Sequence, residues 1–256
     1  MHTKTTPENP YALNRYAFAW HHIPDGSAAH LDFGCHDGQF LQDLDGKRIE
    51  RRVGIDAATE PLEKGRQARP DLEFIHNQTV TPLPFEDQSF QSATVLDVIE
   101  HIVPQHELLL ELHRVLREDG VLIVTVPGQH LFSCLDLGNF KFRFPRLHRW
   151  WYVRKHSVAE YEARYGVNAD GLIGDISAEK SWHEHFSRRK LQALLENAGF
   201  EVREFDGRGF FRRVLVIFQK TVGRIGFVGR LLDRLLRADL KAFESTDLFC
   251  VAKKKL

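Results

Sequence analysis

Cysteine is scarce in this sequence. Its three cysteines, Cys35, Cys134 and Cys250, are odd in number, widely separated and never in a CxxC spacing. This pattern excludes a disulfide framework and a structural zinc site, so we expect no metal. Isolated thiols of this kind are typical of a reducing compartment, and we expect a cytoplasmic protein.

Long apolar runs and an excess of either charge are also missing. No run approaches about 18 consecutive apolar residues, and residues 1–10 lack the apolar core of a signal peptide. We therefore expect neither a membrane-spanning helix nor export by that route. The 35 lysines and arginines balance 35 aspartates and glutamates, so no global positive field favours binding to nucleic acid, and we expect no such partner.

Short apolar segments alternate with helical patterns from residue 28 onward, which predicts an α/β fold with a parallel sheet and helices on both faces. The predicted strands are Ala28 to Phe33, Arg51 to Ile55, Leu72 to Ile75, Ser92 to Leu96, Val121 to Val126, Phe200 to Phe205 and Leu248 to Ala252. The predicted helices are Gln39 to Leu44, Glu60 to Ala68, Gln105 to Leu116 and Ser187 to Ala198. We expect one domain over residues 1–256.

Local signals mark several element ends. Ser187 is suited to cap the fourth helix, which Gly199 should end. Asp119 and Gly120 predict a turn that leads into the strand at Val121.

A glycine-containing segment, Leu31-Asp-Phe-Gly-Cys-His-Asp-Gly38, joins the first strand to the first helix. Glycine at such a junction lets the backbone approach a ligand closely. Asp56 ends the next strand, 24 residues after Asp32, and a carboxylate there can accept both hydroxyl protons of an adenosine ribose. Alternatively, Asp32 is a turn residue and Asp56 a helix cap.

Together these segments resemble the class I S-adenosylmethionine-dependent methyltransferases related to the quinone-biosynthesis enzymes. The matching motifs are Leu31 to Gly38, Val53-Gly-Ile-Asp56, Pro82-Leu-Pro-Phe-Glu-Asp-Gln-Ser-Phe90, Val95-Leu-Asp-Val-Ile-Glu-His-Ile102, Glu111 to Pro127, and Trp182-His-Glu-His-Phe-Ser187 through Leu191 to Val202. They occur in the family's order and cover most of residues 28 to 205.

The resemblance implies a Rossmann-like, seven-stranded methyltransferase sheet of order 3-2-1-4-5-7-6, with the last strand antiparallel and S-adenosylmethionine bound across the carboxyl ends of the first strands. Gly34 and Gly38 would line the methionine moiety, Asp56 would hold the ribose, and residues 78–80 would border the adenine. The cofactor-binding residues implied are Asp32, Gly34, Cys35, His36, Gly38, Asp56, Gln78, Thr79 and Asp97.

The sequence departs from the family pattern at two places. His36 stands where the family usually has glycine, so either the loop bends around the ring or cofactor affinity is lowered. The family usually has an acid near Gln78 or Thr79 that binds the adenine amine, and the carbonyl oxygen of Gln78 can still accept that hydrogen bond.

Histidines are the candidate catalytic groups, because a hydroxyl acceptor needs a general base of near-neutral pKa. His101 follows the fourth strand, and His183 and His185 precede the fourth helix. We take His101 and His185 as the catalytic candidates. Alternatively, Glu100 and His101 form a hydrogen-bond network at a helix start, and the other two histidines bond to backbone and pack against Trp182.

Two long stretches interrupt the α/β alternation. Residues 128–182 contain the aromatic and basic residues Phe132, Phe140-Lys-Phe-Arg-Phe-Pro145, Leu147, Arg149 and Trp150-Trp-Tyr152, and lie where the family has its substrate lid. They suit an aromatic, saccharide or phosphorylated acceptor, or else form lid core or a homo-oligomer interface.

The second stretch, 206–246, interleaves apolar residues with arginines. Nine basic and three acidic side chains fall within residues 206–241. Such a segment either lies on a membrane surface and brings the site to a lipid-linked acceptor, or closes the pocket or joins subunits as an apolar helix pair.

Two interpretations are also open for the N-terminal segment Tyr11-Ala-Leu-Asn-Arg15-Tyr16. Either it folds over the cofactor, with Arg15 meeting the cofactor carboxylate, or it is an amphipathic helix packed at the sheet edge.

These observations predict an S-adenosylmethionine-dependent methyltransferase that methylates an oxygen of a small-molecule or lipid-linked acceptor, such as a saccharide or a quinone-like compound. It would be cytoplasmic and peripheral at the membrane if residues 206–241 bind lipid. The alternatives are a methyltransferase-like binding or scaffold protein without turnover, and a methyltransferase that acts on RNA or protein.

Overall fold

The computed structural model describes residues 15–129, 144–165, 184–209, 211, 215, 218, 226–242 and 246–255. Its strands are β1 Ala29–Phe33, β2 Arg51–Asp56, β3 Glu73–His76, β4 Phe90–Leu96, β5 Leu116–Pro127, β6 Phe200–Arg208 and β7 Asp247–Lys254. Its α-helices are α1 Arg15–His22, α2 Gln39–Asp43, α3 Thr59–Ala68, α4 Gln105–Val115, α5 Pro145–Val153, α6 Val158–Tyr165, α7 Arg188–Asn197 and α8 Gly226–Ala242. Short 3₁₀ helices span Leu44–Lys47 and Ile99–His101.

The seven strands form one sheet of order β3-β2-β1-β4-β5-β7-β6. β1 pairs in parallel with β2 and β4, whereas β7 is antiparallel to both β5 and β6. The predicted fold class, strand order and antiparallel last strand are confirmed. Every strand except β7 therefore ends at the same edge of the sheet, which we call the carboxyl edge.

Two apolar layers cover the two faces of the sheet. On one face, α4 and α7 pack Leu108, Leu112 and Leu191 against Leu31 and Val95. Because successive side chains of a strand point to opposite faces, the other face carries a different set. There Phe18 of α1, Phe40 of α2 and Leu62 of α3 join Ile123 and Phe249.

Most predicted element ends agree with the structure. The Ser187 hydroxyl accepts a hydrogen bond from the backbone N–H of Lys190 at the start of α7, and Gly199 follows that helix with φ of 87°. The strand β5 begins earlier than predicted, at Leu116, which pairs with Phe90. Because the next pair is Ser92 with Val121, the intervening residues bulge, and the predicted turn lies inside this bulge with Asp119 at φ of 58°.

Both long interruptions leave the sheet at its carboxyl edge. The first follows β5, and the chain rejoins the sheet where Gly128 bridges Phe186; its described part contains α5 and α6. The second follows β6 and contains α8, which packs on that strand. In the ranges that the structure describes, no helix is long and apolar enough to cross a membrane.

Candidate active site at the carboxyl edge

The loop after β1 turns sharply at two glycines. Gly34 and Gly38 have φ of 82° and 76°, which side chains rarely adopt. A Cβ at Gly34 would lie 2.3 Å from Cγ2 of Val98, and one at Gly38 would lie 2.5 Å from Cζ of Phe74. Glycine is therefore required at both positions by conformation and by packing. The loop is held against β2, because the backbone N–H of Gly34 donates to the carbonyl of Ile55 at 2.8 Å.

His36 adopts a left-handed conformation within this loop. Its φ is 52°, which explains why glycine suits the position in the family it resembles. The side chain is 74% exposed, and its backbone N–H donates to Oδ2 of Asp56 at 2.8 Å. Of the two predicted possibilities, the loop bends and the ring faces solvent.

Asp56 ends β2 beside the glycine loop and is buried. Oδ2 accepts the His36 N–H, and Oδ1 accepts the backbone N–H of Ala58 at 2.9 Å. Asp56 thus also holds the turn before α3, but it is not the helix cap of the alternative interpretation, because the N-cap residue is Ala58 and it has no side-chain cap hydrogen bond. Since a carboxylate oxygen can accept two hydrogen bonds, each oxygen retains one lone pair for a ribose hydroxyl.

Asp32 and Cys35 lie deeper in the same corner. Oδ1 of Asp32 accepts a hydrogen bond of 2.7 Å from the Thr94 hydroxyl. Burial, opposed by this bond, raises the pKa of Asp32 to about 7. Burial also raises the pKa of the Cys35 thiol, so that side chain is a neutral wall of the site.

Asp97 follows β4 in a left-handed conformation, with φ of 56°. Its backbone N–H donates to the Thr125 carbonyl, and its Oδ1 accepts from the Thr125 hydroxyl at 2.7 Å. Its Oδ2 forms an ion pair of 2.7 Å with Arg15. Thr125 of β5 and Arg15 of α1 thus hold Asp97 in this strained conformation, as is common at functional sites.

Arg15 stands at the first turn of α1, which lies on a face of the sheet rather than at its edge. Phe18 and Ala19 are buried there, and the Tyr16 ring stacks on Phe40 with centroids 5.6 Å apart. The helix is amphipathic, as one alternative predicted, and still brings Arg15 to the carboxyl edge. Its ion-pair partner is Asp97, which the sequence did not predict, and its guanidinium also donates to the Tyr16 hydroxyl at 3.0 Å. Residues 11–14 lie outside the described ranges.

Gln78 and Thr79 follow β3 and are exposed. Asn77 connects them to the site, because its backbone N–H donates to the carbonyl of Asp56 at 3.0 Å and its side-chain amide donates to the carbonyl of Thr79 at 2.6 Å. The pair thus borders the corner where Asp56 ends β2.

The two catalytic candidates lie after β4 and beside the end of β5. His101 is in the 3₁₀ turn, with Nε2 at 3.9 Å from Oε1 of buried Glu100. His185 is half-buried next to Phe186, whose N–H donates to the carbonyl of Pro127. His183 and Trp182 lie outside the described residues.

The amide of Gln105 connects the two histidine segments. It donates to the carbonyl of Ile99 at 2.9 Å and to Oε2 of Glu184 at 2.7 Å. Since Glu184 is adjacent to His185, the structure gathers both candidate segments at one place. Neither Gln105 nor Glu184 was identified from the sequence; their connection spans 79 residues, and only the fold reveals it.

The donor set fits S-adenosylmethionine. Asp56 offers two acceptors for vicinal hydroxyls, and the glycine loop gives close backbone approach. Asp32 and Asp97 supply carboxylates near the expected methionine end. In the described part of the chain, no three histidine, cysteine or acidic side chains group as a metal site.

The chain is similar to known methyltransferases. A family profile described as a methyltransferase domain matches residues 31–124. The 2-phytyl-1,4-naphtoquinone methyltransferase of Thermosynechococcus vestitus is 29% identical over 199 residues, or 75% of this chain and 80% of the relative. The ubiquinone/menaquinone biosynthesis C-methyltransferase of Campylobacter jejuni is 25% identical over 194 residues, or 70% and 73%.

A solved S-adenosylmethionine-dependent methyltransferase from Mesorhizobium loti shares the fold. It superposes with a TM-score of 0.57 at 13% identity, over 94% of this chain and 99% of that one.

Proposed function

Because this chain is a class I S-adenosylmethionine-dependent methyltransferase, we propose that it methylates an oxygen of a small or lipid-linked acceptor, of the saccharide or quinone-like class. The observation that carries this proposal is the position of His101 and His185. Both lie at the carboxyl edge, beyond Asp97 and away from the ribose-binding corner. A base at that side of the cofactor serves a hydroxyl acceptor.

The cofactor supplies an electrophilic methyl group on a sulfonium. The chain's own residues would hold and orient it: Asp56 would accept hydrogen bonds from the ribose hydroxyls, the Gly34 to Gly38 loop would line the methionine moiety, and Gln78 and Thr79 would border the adenine. Alignment of the acceptor oxygen with the methyl carbon and sulfur provides much of the rate, since well-oriented groups gain about 7–11 kcal/mol over free encounter.

His101 takes the hydroxyl proton of the acceptor in this proposal, and His185 contacts the acceptor from the other segment. The Gln105 amide fixes the distance between the two segments, because it bonds to Ile99 and Glu184 at once. Glu184 also pairs with Lys190 of α7, which anchors the returning end of the first interruption. The backbone segments that carry His101 and His185 are thus held in place by these contacts.

Two relatives support a quinone-like acceptor by their names, one of which specifies transfer to carbon. Methyl transfer to oxygen, unlike this transfer to carbon, needs a base that removes the proton of the acceptor hydroxyl. The experiment is methylation of candidate acceptors with carbon-13-labelled cofactor, followed by NMR of the product. A methoxy carbon signal is expected, and a carbon-bound methyl signal would overturn oxygen transfer.

The variant His101→Gln tests the base. It should lower kcat by about 10² or more while S-adenosylhomocysteine still binds with the wild-type Kd. His106→Gln is the control, because that histidine is exposed on α4. Unchanged kcat in His101→Gln would remove His101 from the reaction.

The helix α8 favours a membrane-borne acceptor. Phe227, Leu231 and Leu235 recur every four residues and are 68%, 52% and 44% exposed, so they form an apolar stripe on the outer side. Leu232 and Leu236 are buried on the side facing β6. Side chains at i and i+4 share a face, so the stripe is continuous.

Basic residues lie along one margin of this stripe. Arg230, Arg234 and Arg237 are all exposed, and on a helical wheel they fall beside Phe227. An apolar stripe bordered by arginines fits the interface of an anionic bilayer, where each basic residue adds about 1 kcal/mol. We therefore propose that α8 holds the enzyme on such a surface.

Co-sedimentation with vesicles tests this surface. The protein should sediment with vesicles containing anionic phospholipid and be released by high salt. Leu231→Ser combined with Leu235→Ser should reduce binding, whereas Leu110→Ser, an equally exposed leucine on α4, should not. Equal binding of both variants, or none by the wild type, would remove the membrane proposal.

A further inference from the structure

Four polar side chains lie together on one buried face of β1 and β4. His30 is in register with Ser92, and Asp32 with Thr94. His30, Ser92 and Thr94 are completely buried, and Asp32 is nearly so. Phe40 of α2 covers His30, with ring centroids 6.5 Å apart. Burying four polar groups beneath an apolar layer is unfavourable unless each finds a partner.

The four side chains form one continuous hydrogen-bonded chain, which we call the His30 relay. The Ser92 hydroxyl lies 2.8 Å from Nδ1 of His30, and Nε2 of His30 lies 3.1 Å from Oγ1 of Thr94. Thr94 in turn lies 2.7 Å from Oδ1 of Asp32. Asp32 is two residues before Gly34, so the relay joins the cofactor loop to the interior of the sheet.

The relay has two directions, because each hydroxyl carries one proton. When Asp32 is ionised, Thr94 donates to it, Nε2 of His30 donates to Thr94, and Ser92 donates to Nδ1. When Asp32 carries a proton on Oδ1, Asp32 donates to Thr94, Thr94 donates to Nε2, and Nδ1 donates to Ser92. The Leu31 carbonyl is also within reach of the Thr94 hydroxyl, but at 3.5 Å against 3.1 Å for Nε2, so Nε2 is the better acceptor. The tautomer of His30 therefore reports the charge of Asp32.

The surroundings allow Asp32 to change charge while His30 stays neutral. Burial lowers the pKa of His30 to about 3, so only its two neutral tautomers matter near pH 7. Burial raises the pKa of Asp32 to about 7. Among the charged groups facing Asp32, Asp56 of β2 adds to this rise and Arg15 of α1 opposes it; the nearby Cys35 thiol stays protonated.

We propose that His30, Thr94 and Ser92 are positioning residues that couple the charge of Asp32 to cofactor binding. The ionised Asp32 carboxylate would pair with the ammonium group of the methionine moiety. As Asp32 ionises, its carboxyl proton passes to Oγ1 of Thr94, the Thr94 hydroxyl proton passes to Nε2 of His30, and the Nδ1 proton passes to Oγ of Ser92, whose own proton is the one released to solvent. One proton leaves in all, and His30 changes from its Nδ1–H to its Nε2–H tautomer.

Calorimetry on the wild-type protein tests the coupling. Binding of S-adenosylhomocysteine, which has the same ammonium group, should be about tenfold tighter at pH 8 than at pH 6. Titrations at pH 6 in phosphate and in imidazole, two buffers with different heats of ionisation, should show release of close to one proton. A Kd independent of pH, or no proton release, would overturn the proposal. The acceptor is absent from this experiment, so its outcome is separate from that of the proposed function.

Nitrogen-15 NMR of the His30 ring tests the relay itself. At pH 6 the free protein should show the Nδ1–H tautomer, and the complex with S-adenosylhomocysteine the Nε2–H tautomer. A polar core with only a packing role would keep one tautomer in both states, and that result would overturn the proposal.

Two matched variants separate the relay from general effects of threonine loss. Thr94→Val keeps the side-chain shape but removes the donor to Asp32, so the pH midpoint of S-adenosylhomocysteine affinity should rise and His30 should no longer respond. Thr246→Val also removes a buried threonine hydroxyl, but one that donates to the Gly209 carbonyl and belongs neither to the relay nor to the cofactor-binding set, so it should leave the midpoint in place. An unmoved midpoint in Thr94→Val would overturn the coupling; if that variant fails to fold, the wild-type measurements decide.

Discussion

Replacing His36 by glycine should stabilise the protein. The left-handed conformation costs an L-residue roughly 1–2 kcal/mol, and His36 adopts it with φ of 52°. Glycine avoids that strain but loses about 0.5–1 kcal/mol more conformational entropy on folding. The ring contributes little in return, because its ion pair with Asp37 is 3.6 Å long and mostly exposed. The expected gain for His36→Gly is about 0.5–1 kcal/mol.

Calorimetric unfolding measures this gain directly. A gain of about 1 kcal/mol corresponds to a rise in Tm of roughly 2–4 °C for a chain of this size. His36→Ala is the control, since it removes the ring but retains the Cβ that makes the conformation costly. Its Tm should not exceed that of the wild type. The Kd for S-adenosylhomocysteine should be unchanged or lower in His36→Gly, because the N–H donated to Asp56 belongs to the backbone.

Two outcomes would contradict a strained backbone at His36 as the cause. If His36→Gly and His36→Ala unfold at the same temperature, backbone strain at this position has no measurable effect. If both variants bind S-adenosylhomocysteine more weakly than the wild type does, the His36 ring has a direct role in binding despite its exposure.

Three further predictions concern the same corner. Gly54→Ala should lower the free energy of unfolding by about 2 kcal/mol, because its Cβ would lie 2.6 Å from Sγ of Cys35; urea unfolding measures this. Asp56→Asn should weaken S-adenosylhomocysteine binding roughly 10- to 100-fold, since a charged acceptor is worth about 1.5–3 kcal/mol, as calorimetry would show. Asp32→Asn should lower the free energy of unfolding by about 2 kcal/mol between pH 6.5 and 5, measured by urea unfolding. The wild type should show no such fall, because on folding Asp32 takes up a proton while His30 loses one.

The sign of the last effect follows from two opposed pKa changes. His30 has a lowered pKa in the folded state, so its contribution is lost as the pH falls below 6.5. Asp32 has a raised pKa, so its contribution is lost as the pH rises from 3.8 through 7. Between these limits folding shifts one proton from His30 to Asp32, and the two contributions cancel in the wild type. A wild type as acid-sensitive as Asp32→Asn would contradict this cancellation.

Controls for the other two variants come from the same chain. Gly46→Ala should be nearly neutral, because its Cβ would have no neighbour closer than 3.9 Å. If it destabilises as much as Gly54→Ala, the close approach to Cys35 is not the cause. An unchanged Kd in Asp56→Asn would exclude the ribose contact.

Sequence periodicity was enough to predict an α/β fold with a parallel sheet, because the strands are apolar runs and helical patterns separate most of them. The strand order and the antiparallel last strand were implied only by the resemblance to class I methyltransferases. The ends of α7 followed from Ser187 and Gly199, whose side-chain and backbone preferences act locally. The bulge that starts β5 early was not predictable, since it depends on how Leu116 pairs with Phe90 across the sheet.

Of the site, the sequence predicted only the residues that belong to recognisable motifs. The glycine loop and Asp56 follow from residue type and spacing, whereas Arg15 with Asp97, and His30 with Thr94, are brought together by strand register and helix packing. A histidine in a strand gives no signal of its partners until that register is known. The left-handed backbone at His36 and Asp97 could not be predicted either, because neither residue type requires that conformation.

The strand β7 lies between β5 and β6 although it follows both in the chain. During synthesis β6 therefore emerges from the ribosome with no strand to pair with, and both β5 and β6 present open edges until residues 247–254 arrive. Unpaired edges are templates for aggregation. The completion of the sheet is thus a late, non-local step, and chaperone dependence should be greatest in nascent chains that stop between β6 and β7.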